Sequence, residues 1–129
     1  MPIRKAERHF TVLVVDDDAS MLRALGRLIR TAGFDVLTFD GPRAFLASEI
    51  PTVGACLLLD VHLPEMNGIE LYEALVGSGH KLPVIMITGQ DDPQTRRLLQ
   101  HIEAEAVAVL SKPVDEALLL DAISSVRGS

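Results

Sequence analysis

The sequence predicts an α/β fold: a doubly wound parallel sheet of five strands, with a helix after each strand. Three observations carry that reading. Short apolar runs alternate with amphipathic stretches along the whole of a 129-residue chain. The third run, Val53 to Leu59, is apolar on nearly every residue, as in a strand covered on both faces. Charged and hydroxyl residues gather where the runs end, and in such sheets ligands sit beyond the carboxyl ends of the strands. Right-handed crossovers would then bury both faces of the sheet.

The elements follow in order. Phe10 to Val15 is rich in β-branched residues and too short for a helix. Met21, Leu22, Leu25, Leu28, Ile29 and Ala32 recur at helical spacing, and Gly33 follows where a helix end wants a left-handed residue. Phe34 to Phe39 is the second strand, and Asp40-Gly41-Pro42 opens a short helix reaching Glu49. After the third strand, Asn67-Gly68-Ile69-Glu70 has the form of a capping box for a helix ending near Ser78-Gly79. Pro83 to Ile87 is the fourth strand. Asp92-Pro93 reads as an N-cap followed by proline at the first helical position. Ala106 to Leu110 is the fifth strand. Asp115 starts the last helix, with Leu119, Ile123 and Val126 along one side.

Composition narrows the function. The length makes one domain the default, and the 48% hydrophobic content is too high for a disordered chain. The net charge of −6 argues against nucleic-acid binding by this chain itself. No apolar run approaches the ~18 residues of a membrane span, and no secretory signal opens the sequence. A single cysteine, Cys56, excludes an internal disulfide and fits a reducing, cytoplasmic location.

Strand one ends in Asp16-Asp17-Asp18, strand three in Asp60, strand four in Thr88-Gly89 and strand five in Ser111-Lys112-Pro113. Three carboxylates, a hydroxyl and an ammonium thus meet at one sheet edge, with Asp18 read as the cap of the first helix. Two carboxylates about 4 Å apart repel by about 4 kcal/mol at an effective dielectric of about 20. One lysine cannot neutralise three acids. A hard divalent ion can, and an all-oxygen ligand set favours Mg²⁺ over zinc or copper.

On these residues the chain resembles the receiver domain of two-component response regulators. The matching pieces are Asp16-Asp17 after Val14-Val15, Asp60 after Leu57-Leu58-Leu59, Pro64 with Met66-Asn67-Gly68, Thr88-Gly89, and Lys112-Pro113. Each alone is weak; all five in order at strand ends are specific. The resemblance covers residues 10 to 127 as the domain, with 1–9 as a tail and 128–129 as a tail or linker start. It implies a flavodoxin-like sheet of order 2-1-3-4-5 with five helices.

It also implies a phosphorylation switch. Asp60 would be the phosphoacceptor for a histidine kinase or phosphotransfer protein. Asp16, Asp17, Asp60 and the backbone carbonyl of His62 would hold Mg²⁺, with Mn²⁺ able to stand in. Lys112 and Thr88 would bind phosphoryl oxygens, and the Lys112-Pro113 bond would be cis. His62 and Gln90 would tune the lifetime of the phosphoryl group. The chain would not be an enzyme beyond catalysing its own transfer and dephosphorylation. A homodimer through the fourth helix, fifth strand and fifth helix is a further expectation. The ending at Ser129 fits either a stand-alone receiver or the receiver part of a longer regulator.

Other readings stand beside this one. A haloacid-dehalogenase-type phosphatase would use Asp16 as nucleophile, but it leaves Asp60 unexplained. A non-phosphorylated interaction module leaves the full acidic set unexplained. A dinucleotide site lacks its glycine fingerprint after strand one. Arg23, Arg27 and Arg30 form a basic stripe on the first helix, either a solvated face or a kinase-docking face. Of Leu118-Leu119-Leu120, core packing accounts for two. Val109 stands where the family has Tyr or Phe, which places the switching signal on Thr88 and the loop from Gly89 to the fourth helix. Glu105 stands where a Gly is common.

Overall fold

The computed structural model describes residues 10–51, 53–89, 93–102 and 108–127. Five parallel strands are β1 Thr11–Val15, β2 Asp35–Phe39, β3 Ala55–Asp60, β4 Val84–Thr88 and β5 Ala108–Ser111. Each is followed by a helix: α1 Ala19–Thr31, α2 Pro42–Leu46, α3 Gly68–Gly77, α4 Pro93–Ile102 and α5 Glu116–Arg127. The sheet order is β2-β1-β3-β4-β5, as expected, so β1 and β3 lie side by side where the strand order reverses.

Alternation along the strands builds two cores, one on each face. Leu13, Val15, Leu57, Leu59, Val84 and Met86 meet Phe45 of α2 and Ile69, Leu71, Tyr72 and Leu75 of α3. On the other face, Val12, Val14, Val36, Cys56, Leu58, Ile85 and Ile87 meet Leu22, Leu25 and Ile29 of α1 with Leu119 and Ile123 of α5. Cys56 lies within β3 with no exposed surface, and burial pushes its thiol up to about 12.

The helix ends are built from the signals in the sequence. Asp18 Oδ1 accepts from the amides of Ser20 (2.9 Å) and Met21 (3.2 Å) and caps α1. Asn67 and Glu70 form the reciprocal capping box of α3 at 2.8 and 3.0 Å. Asp115 Oδ1 accepts from Leu118 at the start of α5. Gly33, at φ 98°, takes the left-handed position after α1.

Several boundaries move. β3 begins at Ala55 rather than Val53: Gly54 sits at φ 68°, outside the range of extended strand, and Val53 is 83% exposed. The short α2 ends at Leu46 rather than Glu49, because Ser48 turns back and donates both its amide and its hydroxyl to the Phe45 carbonyl. β1, β2 and β4 each start one residue later than expected, and β5 and β3 run through Ser111 and Asp60. Ala106, Val107, Glu105, the Asp92 cap and Gln90 lie outside the described residues. Among the described residues, no helix is long and apolar enough to cross a membrane.

Candidate functional site at the carboxyl edge of the sheet

Strand register brings the charged residues together. Val15 pairs with Leu59, so the next residues, Asp16 and Asp60, leave neighbouring central strands side by side. Thr88 pairs with Ser111, and the Lys112 amide donates to the Thr88 carbonyl at 2.9 Å. The hydrophobic strands thus drive these carboxylates into place: Asp16 and Asp60 are 1% and 3% exposed, while Asp17 faces solvent.

One oxygen from each of Asp16, Asp17 and Asp60 lies within 4.8 Å of the others. Lys112 Nζ lies between the two buried acids, 3.3 Å from Asp60 Oδ2 and 3.5 Å from Asp16 Oδ2. The remaining oxygens are held by backbone. Asp16 Oδ1 accepts from the Asp18 amide at 2.9 Å, and Asp60 Oδ1 accepts from the His62 amide at 3.0 Å. These bonds fix both carboxyl planes before any ligand arrives.

Burial raises the Asp16 carboxyl above 3.8, and the charges of Asp60 and Asp17 add to that; the Asp18 amide and Lys112 oppose it. For Lys112 burial acts downward, but the Asp60 and Asp16 carboxylates outweigh it and hold the ammonium above 10.5. The site therefore carries three acids against one firmly protonated lysine.

Asp16 Oδ2 is fully buried and makes no hydrogen bond. Such an atom is costly unless something cationic meets it. Lys112 Nζ, 3.5 Å away, meets it but is shared with Asp60; among the described residues the three clustered ligand atoms are all carboxylate oxygens, which suit a hard cation such as Mg²⁺.

Two glycines give the site its room. A Cβ on Gly68 would stand 2.3 Å from the Asp60 carbonyl oxygen, so α3 begins in direct contact with the backbone of the acid. The Gly68 amide donates to the Val61 carbonyl at 2.8 Å there. A Cβ on Gly89 would meet Lys112 Cδ at 3.3 Å, so this glycine clears the lysine stem. Sequence reasoning marked both only as motif members. Thr88 is half-buried at the end of β4, and the Lys112–Pro113 bond is cis, as expected. Val109 is half-buried against the core shared with α2 and α3.

Comparison with known proteins agrees with this geometry. The family model for the response regulator receiver domain matches residues 12–124. Nodulation protein W of Bradyrhizobium diazoefficiens is 42% identical over 120 residues, covering 92% of this chain and 52% of that protein. The transcriptional regulatory protein FixJ of the same organism is 32% identical over 114 residues, 88% of this chain and 55% of its own. Among solved structures, the response regulator StyR superposes with a TM-score of 0.81 at 43% identity, covering 91% of this chain and 58% of that one. The crystal structure of FixJ-N gives 0.80 at 28% identity, covering 92% of this chain and 94% of that one. The chain spans about half the length of the curated relatives it matches. With its five-strand order, its clustered strand-end acids and a family match over nearly its whole described length, this chain belongs to the receiver domain family of response regulators.

Proposed function

We propose that Asp60 is the phosphoacceptor of a two-component signalling pathway, loaded by a histidine kinase or phosphotransfer protein. The observation that carries this is the pairing of Asp60 with Lys112 Nζ at 3.3 Å, beside an Asp16 oxygen that is buried without a hydrogen bond. A carboxylate oxygen of Asp60 attacks phosphorus, the phosphorus–nitrogen bond of the phosphohistidine breaks, and the imidazole leaves with the electron pair. Phosphoryl transfer asks the protein for positioning and charge neutralisation rather than covalent chemistry. Lys112 neutralises one phosphoryl oxygen. Thr88 donates its hydroxyl to another once Asp60 is modified. The His62 amide holds Asp60 at the angle of attack.

Asp16, Asp17, Asp60 and the His62 carbonyl would hold Mg²⁺, or Mn²⁺ in its place. The ion supplies positive charge against the phosphoryl oxygens. The chain catalyses its own loading and hydrolysis and is otherwise a switch. It acts in the cytoplasm on an output partner or an effector domain. Leu118, 56% exposed on α5, supports a homodimer through α4, β5 and α5.

The test is phosphorylation by a small phosphodonor such as acetyl phosphate, read by intact mass. Wild type gains one phosphoryl group in Mg²⁺, and Asp60→Asn gains none. Loss of labelling in Asp16→Asn with full labelling in Asp60→Asn would instead identify Asp16 as the nucleophile of a phosphatase.

A further inference from the structure

The arginine stripe of α1 does not stand on an open helix face. It forms one wall of a groove whose other wall is the edge of the sheet. β2 pairs only with β1 among the described strands, so its far side has no sheet neighbour. The Asp35 amide donates to Phe10 (3.0 Å), and the Phe39 carbonyl accepts from Asp16 (3.1 Å). In a parallel pair alternate residues address the same neighbour. Leu37 therefore also faces β1, and Val36 and Thr38 turn their amides and carbonyls outward.

Between that edge and α1 lies a groove of about 500 Å³, lined by Ala19, Leu22, Arg23, Arg27, Arg30 and Thr38 among others. A second cleft of about 410 Å³ continues past Arg30 along Val36 and Leu37, where Asp35 is its acidic end. The three arginines are exposed, and among the described residues none of them forms an ion pair. Leu37 is half exposed at the same edge, its side chain on the other face of the sheet.

We propose that this groove takes an extended acidic segment of a partner protein, which adds to the outer edge of β2 as a further strand and sets its carboxylates against Arg23, Arg27 and Arg30. Spacing supports an extended occupant. Along the helix, Arg23 to Arg27 rises about 6 Å and Arg27 to Arg30 about 4.5 Å. Alternate residues of a strand are about 6.6 Å apart, so successive same-side carboxylates fall near successive arginines. Along the helix axis the three arginine positions together span about 10 Å, the reach of a short extended segment. Main-chain bonds to Val36 and Thr38 would supply affinity, and Arg–carboxylate pairs would supply specificity. Asp60 does not line the groove, and the groove's occupation does not require phosphorylation.

The test uses a capped peptide of about eight residues, alternating Glu and Val, titrated into the isotope-labelled chain and followed by amide NMR shifts. Saturable shifts at Val36 and Thr38 as well as on α1 are expected, weakening as salt rises. Reversing all three arginines to Glu should weaken binding at least about tenfold. Thr38→Pro should weaken it comparably while keeping every arginine, because proline is tolerated on an edge strand where its missing N–H faces outward; circular dichroism checks that both variants fold. Three results would overturn the proposal. One is no saturable shift at about 1 mM peptide. Another is unchanged affinity in Thr38→Pro, which means charge contact with α1 alone. The third is equal shifts with inorganic pyrophosphate at matched ionic strength, which means a small-polyanion site.

Discussion

At Asp16 the fold holds a carboxylate in a place that suits its neutral form. Burial raises its pKa above 3.8, so the folded chain binds that proton more tightly than the unfolded one. The penalty is in force at neutral pH and is relieved as pH falls through the raised value toward 3.8. Asp16→Asn keeps the acceptor for the Asp18 amide and removes the charge. It should stabilise the metal-free protein by about 1–2 kcal/mol at pH 7, read by urea unfolding. The same variant should lose the Mg²⁺-dependent rise in stability, which for wild type should reach about 2.7 kcal/mol at a hundredfold excess over Kd. Lys112 carries the opposite sign. Its pKa is raised, so its contribution is complete below 10.5 and fades as pH climbs through the raised value. Lys112→Met leaves two buried acids facing each other without it. It should cost about 1–3 kcal/mol at neutral pH and flatten the alkaline limb of the stability profile.

At the scale of elements, the start of α3 is the tightest joint near the site. Asn67 caps the helix, and Gly68 lets it touch Asp60. Asn67→Ala should cost about 1 kcal/mol through the lost cap. Gly68→Ala meets backbone at 2.3 Å and must move either the helix or the acid. It should cost about 1–3 kcal/mol and slow labelling by acetyl phosphate, where Asn67→Ala leaves labelling near wild type. Intact mass against time separates the two. On the opposite side of the site, Val109 fills little volume beside β4. A beryllofluoride-loaded chain should therefore shift amides at Thr88 and from Gly89 into α4, with small shifts around Val109. Near-identical spectra in that loop would contradict this.

For the whole molecule, the sheet was legible because five apolar runs each carry a strand and four of them end on residues of the site. Asp16, Asp60, Thr88 and Lys112 could be aligned in sequence because strand ends in a parallel sheet share one edge. Tertiary approach was not legible. Val53 has the composition of a strand, but the left-handed Gly54 turns it outward. Gly68 and Gly89 stood out only as motif members, since nothing local reveals the backbone and lysine stem that press on them. The arginine spacing was visible on α1, yet its opposite wall belongs to β2 and exists only once the sheet has formed.

Cys56 gives this molecule its own stopwatch. The thiol sits near the start of β3, paired with Val12 of β1 and fully buried in the core that α1 and α5 cover, with its proton held to about 12. A disulfide reagent can reach it only when the sheet itself comes apart, and then it meets an ordinary thiol. With reclosing faster than labelling, the rate at which colour appears therefore reports the fraction of molecules with the fold open. Adding Mg²⁺ should slow that clock by the same factor by which it raises the folding equilibrium constant, a check on the acidic site taken from the opposite end of the strands.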